Sequence, residues 1–418
     1  FNLYLATLST NTLAASNIHY IITEKGSKEA LVEGTLTSSL DDASNFTDAE
    51  KTELNAGLSG TYGNIFKLYN NKVPYKGSAT YDLYLFVDEN ATEYQNTTFA
   101  AGVAVKSYER EKDPTSLADY VKSLYTGTQG ENSIYYHDSS LTNGAGDSSY
   151  RYSGANPNNY VCFGTNTTPC PTDNLYRIIG VFGNNVKLIK YDYGTTDELG
   201  TDGDYYQTYK EGGMDSTYKG TYGDGEKIGA YYWNYKATNA ATNTWSTSLL
   251  NKTNLNTNFI NNIGEEWANK IATTTWKVGG NTYSNIYSKT PSVVYQNEIV
   301  NPVTTNTTDN ATEYTAKIGL MYVSDYGFAA EPSAWTLTMG NYNNTAATST
   351  NWMYMGLYEW TLSRRADSSY RAFDVNGNGY VRDFNVSGSD AVRPSFSLES
   401  FITYVSGSGS ASDPMVIN

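Results

Sequence analysis

Leu175-Tyr176-Arg177-Ile178-Ile179-Gly180-Val181-Phe182, then Gly183-Asn184-Asn185, then Val186-Lys187-Leu188-Ile189-Lys190-Tyr191 reads as two strands joined by a tight turn. β-Branched and aromatic residues fill both runs, and Gly and Asn between them are hairpin punctuation. The stretch sets the class as mainly β. Working outward, Lys317 to Val323, Trp352 to Leu357, Tyr370 to Val375, Tyr380 to Val386 and Ser395 to Leu398 are further predicted strands. Leu255, Phe259, Ile263, Trp267 and Ile271 recur at four-residue spacing and predict an amphipathic helix, which Gly264 can kink or divide. Residues 113–418 are therefore expected to form a larger α+β domain.

Upstream, residues 1–112 read as a smaller, jelly-roll-like β-sandwich. Strands are predicted at Asn17 to Thr23, Glu29 to Thr37, Asn64 to Tyr69, Tyr81 to Val87 and Phe99 to Tyr108. One helix interrupts them: Thr47 and Glu50 have capping-box spacing, Phe46 can staple, and Gly57 or Gly60 can end it. Phe1 to Leu8 is also strand-like, with apolar side chains at Phe1, Leu3, Leu5 and Leu8. A strand at the end of a chain can pair within its own sheet or with a neighbour's open edge. The boundary falls in the charged run Glu109 to Asp113, where Asp113 can cap a helix with Pro114 at its first position.

The 418 residues carry 28 basic and 43 acidic side chains, a net charge of −15, yet charged residues are only 17% of the total while tyrosine supplies 39 positions. Such a chain is too acidic to bind nucleic acid by neutralising its backbone, and too aromatic to be disordered. No apolar run approaches the roughly 20 residues that span a bilayer. Polarity that comes from Asn, Thr, Ser and Gly suggests a soluble, hydrogen-bonding, tyrosine-laden surface. A chain that opens on Phe1 leads to the expectation of a signal peptide removed before it. Cys162 and Cys170 bracket a short polar loop, as in a disulfide formed in an oxidising compartment, contributing on the order of 2–3 kcal/mol.

Several segments resemble a family of uncharacterised secreted or surface proteins of low-GC Gram-positive bacteria, over roughly residues 113–418. They include Asn132 to Asp138, Ser149 to Ala155, Asn159 to Phe163, Asn174 to Phe182, Lys317 to Gly327 and Val392 to Leu398. That resemblance implies a cell-surface location and no particular activity. Tyr81 to Asp88, with Tyr94-Gln95-Asn96 and Phe99, resembles fibre-forming sandwich proteins of the TasA/camelysin type, in which one subunit's N-terminal strand completes the next subunit's sheet. Glu359 to Arg364, Gly379-Tyr380-Val381 and Val392-Arg393-Pro394 resemble the end of C-type-lectin-like and sulfatase-modifying domains.

Asp374, Asn376 and Asn378, followed by Gly379, have the alternating oxygens that open a calcium loop. Asn385 stands where the bidentate Glu belongs, so the cofactor expectation is none, or a weak calcium site, and a plain hairpin turn is preferred. Trp233, Trp335 and Trp352 are candidates for stacking on sugars, with core packing as the preferred alternative. Glu265 and Glu266 are adjacent on a helix and point apart, and His137-Asp138 lacks a recognisable nucleophile, so no enzyme is expected.

The leading expectation is thus a structural subunit of an extracellular cell-surface filament, whose partners are copies of itself. It would polymerise head to tail through the strand carrying Phe1, Leu3, Leu5 and Leu8. The second is a monomeric adhesin whose lectin-like domain binds host or matrix glycans.

Overall fold

The computed structural model describes the chain except residues 72, 74–77, 93, 108–114, 210–216, 224–226 and 304–310. It is mainly β, with several antiparallel sheets, and divides into two compact units, Phe1–Asp113 and Pro114–Asn418.

The first unit is built from strands β1 (Asn2–Leu8), β2 (Ile18–Glu24), β3 (Ala30–Thr35), β4 (Tyr62–Asn70), β5 (Tyr81–Val87) and β6 (Ala101–Lys106). They form two antiparallel sheets, ordered β4-β1-β6 and β3-β2-β5. The period of two along each strand decides which side chains meet. Leu3 and Leu5 of β1 and Phe66 and Leu68 of β4 share one core with Ile18, Tyr20 and Ile22 of β2. On the opposite face of β1, Tyr4 and Ala6 join Phe46, Ile65, Leu54 and Leu58 beneath helix α1 (Asp48–Leu58).

The capping box forms as its spacing predicts: Thr47 Oγ1 accepts the Glu50 N–H at 3.3 Å, and Glu50 Oε2 accepts the Thr47 N–H at 2.7 Å. Those backbone and side-chain hydrogen bonds, with one from Lys106, hold the Glu50 carboxyl below its usual range. The helix ends at neither predicted glycine. Ser59 takes the left-handed conformation (φ 54°), and the Gly60 N–H closes on Asn55 O at 3.2 Å.

The second unit opens with helix α2 (Leu117–Ser123), capped by Ser116 Oγ accepting from Asp119 N at 3.0 Å. The cap expected at Asp113 and Pro114 lies outside the described residues. Its main sheet comprises β7 (Ile134–Tyr136), β8 (Tyr150–Tyr152), β9 (Tyr160–Cys162), β10 (Leu175–Phe182), β11 (Asn185–Lys190) and, from the far end of the chain, Ser395–Ser397. The deciding hairpin is therefore β10–β11, with Phe182 opposite Asn185. Gly180 is required at its bulge, since a Cβ there would lie 2.4 Å from Tyr150 O.

Smaller sheets surround this one: β12 (Tyr205–Thr208) with β13 (Gly229–Tyr232), β14 (Thr274–Lys277) with β15 (Glu313–Ala316), and β16 (Glu359–Arg364) with β17 (Arg371–Val375) and β18 (Val381–Asn385). Beyond them come β19 (Ser389–Asp390) against β13, β20 (Ser395–Ser397) against β11, and β21 (Tyr404–Ser406) with β22 (Val416–Ile417). The expected amphipathic helix is divided at Gly264 (φ 79°), with Leu255 and Phe259 before the break and Trp267 after it all buried. Two expected strands are not strands. Lys317 to Val323 pairs with the main sheet's backbone at a Gly319–Ser395 bridge before a helix, Val323–Ala329, begins, and Trp352 to Leu357 is irregular. Both runs are apolar because they are buried, and burial without a ladder partner leaves the backbone free to bend.

The last residues return to the first ones of this unit: Leu117 N–H donates to Ile402 O (2.8 Å), Tyr404 N–H to Thr115 O (2.9 Å) and Cys162 N–H to Met415 O (3.0 Å). Thr47→Ala is expected to destabilise the first unit by about 1 kcal/mol, read as a lower urea midpoint with unchanged slope.

Candidate functional site

β1 carries the four residues expected to drive polymerisation, and in this chain it pairs in its own sheet. Leu3 and Leu5 face Tyr69 and Phe66 on β4, and Val105 and Val103 on β6. Leu5 is buried at 1% exposure, Leu3 is buried beside it, and Phe1 and Leu8 are half-buried at the two ends. The Phe1 ammonium donates to Asn71 O at 3.0 Å, and its ring lies 5.9 Å from that of Tyr81. β1 is thus the central strand of its sheet, paired on both edges and packed on both faces.

The outer strands tell a different story. On β6, Val103 and Val105 stand opposite Leu5 and Leu3, so they point into the space between the sheets, yet they are 57% and 63% exposed. On β5, Leu85 and Val87 stand opposite the core residues Tyr20 and Ile18, yet they are 39% and 40% exposed. Inward-facing apolar side chains are exposed only where the layer that should cover them is missing. Among the described residues, no strand closes the intersheet space along β5 or along β6. β6 also borders a groove of about 480 Å³, lined by Glu50, Leu54 and Leu58 of α1 and by the run Gly102 to Lys106 of the strand. Sequence alternation marks these valines and leucines as inward, but it carries no sign that a neighbouring strand is lacking.

In the second unit, Cys162 and Cys170 form the expected disulfide. The sugar-stacking expectation is overturned, because all three tryptophans are core residues with indole N–H groups already engaged. Trp233 Nε1 donates to Thr361 O (2.9 Å), Trp335 Nε1 to Ala330 O (2.8 Å) and Trp352 Nε1 to Tyr152 O (2.9 Å). Trp352 also covers one face of the buried Arg177 guanidinium at 4.6 Å, with Tyr160 on the other at 4.2 Å. None of these three tryptophans offers an exposed ring to a glycan.

The calcium expectation gives way to the turn. Asn376 Oδ1 accepts from Asn378 N (2.8 Å), Asn376 N donates to Tyr380 O (2.8 Å), and Gly379 supplies the positive φ of 97°. Asp374 faces Arg382 instead, at 2.9 Å. Among the described residues no group of three or more His, Cys, Asp or Glu could hold a metal ion.

Asp374 has a second neighbour that sequence reading missed. The buried Asp390 of β19 interacts with it, and Asp374 Oδ1 and Asp390 Oδ2 find no donor among the described residues. A proton held between the two carboxyls satisfies both. Burial pushes Asp374 up to about 7 against the pull of Arg382, and burial with the charge of Asp374 raises Asp390 further. Both are sealed from solvent and line neither the groove nor the cavity described next.

A cavity of about 250 Å³ lies against a second buried charge cluster. Lys187 Nζ is 2.5 Å from Asp325 Oδ2, Arg151 Nη1 is 3.6 Å from Asp325 Oδ1, and Arg151 Nη2 is 2.6 Å from Asp147. Phe182, Trp276, Tyr295 and Tyr322 supply apolar walls. The one sequence signal was a lysine set inside the apolar run Val186 to Ile189 of a strand buried on both faces.

No family model matches the chain, and no curated protein and no solved structure matches it.

The shared-proton pair has a pH signature. A carboxyl whose folded pKa is raised keeps its proton after the unfolded chain has lost it, so stability falls as pH rises from about 4 towards 7. Asp390→Asn is expected to flatten that fall and to gain on the order of 2 kcal/mol at pH 8, relative to pH 5. Thermal denaturation at the two pH values checks it, and an undiminished pH slope in the variant would exclude the shared proton.

Proposed function

We propose that this chain is the repeating structural subunit of an extracellular cell-surface filament, joined head to tail by exchange of its N-terminal strand. The observation that supports the reading is the place of β1: it is the middle strand of its sheet, so that its departure leaves a slot between β4 and β6 that an equivalent strand fills. A neighbour's β1 would make the same pairings in trans that the chain makes in cis. Exchange of this kind is nearly isoenergetic for the strand itself, and when it runs from one subunit to the next it does not close, which produces a fibre.

Net attraction then has to come from a surface that the closed subunit leaves uncovered. Leu85, Val87, Val103 and Val105 supply it, together with the open main-chain edge of β6. The disulfide suits an oxidising, extracellular setting. In this reading the larger unit decorates the fibre and performs no catalysis. The adhesin alternative has lost its three tryptophans and has no observation in its favour.

Removing Phe1 to Leu8 would destroy the core, so exchange is better tested by locking the strand. Asn2 and Asn70 are directly opposed on β1 and β4, and Asn2→Cys with Asn70→Cys should oxidise to an intrachain bond. Electron microscopy should show no filaments from the oxidised double variant and filaments again after reduction. Filaments built from subunits whose β1 is bonded in cis would refute exchange. Val105→Lys, at an exposed site, should change stability by less than about 0.5 kcal/mol while abolishing assembly.

A further inference from the structure

Lys187 sits in the middle of β11, opposite Gly180 of β10 and Ser397 of β20. Its side chain is only 8% exposed, and its one hydrogen bond among the described residues goes to Asp325 Oδ2. The ammonium is otherwise surrounded by rings, 4.4 Å from Tyr322, 5.3 Å from Trp276 and 5.9 Å from Phe182. Asp325, at the start of the helix Val323–Ala329, is equally enclosed: Oδ2 also accepts the Tyr322 N–H at 2.9 Å, and Oδ1 faces Arg151. Next to it, the buried Glu298 accepts from Ser324 N at 2.7 Å through Oε1 and from Ser363 Oγ through Oε2.

An ion pair in so apolar a place is costly, because both ions have lost their hydration. Passing one proton from the ammonium to the carboxylate removes both charges and leaves a neutral amine touching a neutral acid. Those are the two reactants of an amide condensation, held in contact by the fold rather than by collision, where effective molarities reach about 10⁵–10⁸ M. Burial works in the same direction on the amine, lowering Lys187 from its usual range.

We propose that Lys187 and Asp325 condense into an intramolecular amide that ties β11 to the helix Val323–Ala329. The Lys187 Nζ lone pair attacks Asp325 Cγ, and the charge that develops on Oδ1 faces the Arg151 guanidinium. The attacking nitrogen passes a proton directly to Oδ2, its hydrogen-bond partner at 2.5 Å. The Cγ–Oδ2 bond breaks, the Cγ–Nζ bond remains, and Oδ2 departs as water into the adjoining cavity. Nothing is oxidised or reduced, and no co-reactant is needed. The product carries no charge, which removes the burial penalty of the pair and opposes the reverse reaction. The inference does not depend on the filament reading.

The test is the intact mass of the purified, non-reduced wild-type chain. It should be one water lighter than its sequence and disulfide require, and tandem mass spectrometry of a reduced digest should find a branched peptide joining Lys187 to Asp325. Lys187→Arg and Asp325→Ala should each restore the missing water. A wild-type mass with no loss, linear peptides containing Lys187 and Asp325, or a water loss that survives Lys187→Arg would each overturn the proposal.

Discussion

Every buried carbonyl needs a donor, and in the second unit regular ladders supply too few of them. Many of its strands are two to five residues long, separated by irregular chain. Side-chain amides fill the gap. Asn243 Nδ2 alone shares its two hydrogens among Arg365 O, Ser368 O and Arg371 O at 2.7–2.8 Å, Asn234 Nδ2 donates to Thr242 O and Thr244 O, and Asn254 Nδ2 to Leu199 O and Asp202 O. Tyrosine hydroxyls do the same work: Tyr326 reaches Gly379 O, Tyr342 reaches Gly327 O and Tyr354 reaches Gly377 O, at 2.7–2.9 Å. The richness in Asn and Tyr, which as composition suggests a wet surface, is in good part the means by which an irregular interior keeps its backbone satisfied. Replacing such an amide by an apolar group of similar size would remove a donor from several carbonyls at once, which makes these positions far less tolerant than their polarity suggests.

Buried charge follows the same logic. Arg393 grips Glu359 with two bonds of 2.8 and 2.9 Å and donates a third to Met353 O. This joins β16 to the segment entering β20, and both side chains are almost wholly enclosed. Arg177, between Tyr160 and Trp352, uses the ring faces that a lectin would have offered to sugar. Such interactions are poor sources of net stability, because desolvation cancels much of the attraction. They do restrict which of several similar packings an irregular chain can adopt, since a wrong one strands an ion.

Legibility in the sequence tracks how local the cause is. The β10–β11 hairpin, the capping box at Thr47 and Glu50, and the division at Gly264 were readable because neighbours along the chain determine them. The strand nature of Phe1 to Leu8 was readable from alternation, but its central position was not, since that depends on β4 and β6 arriving from sixty to a hundred residues away. Trp352 to Leu357 was misread because an apolar run reports burial and not a ladder. Asp374 illustrates the limit well: its spacing to Asn376 and Asn378 was visible, whereas its partner Asp390 comes from another strand. Likewise nothing in Lys187 itself announces Asp325, which lies 138 residues away.

The meeting of residues 115–117 with residues 402–404 also governs how the second unit would answer to tension. Force applied between these two points crosses a few hydrogen bonds directly, and the roughly three hundred residues between them carry no load until that clasp parts. The body of the unit is then a sheltered side loop on the line of pull, adding mass and surface to the chain without adding length to it.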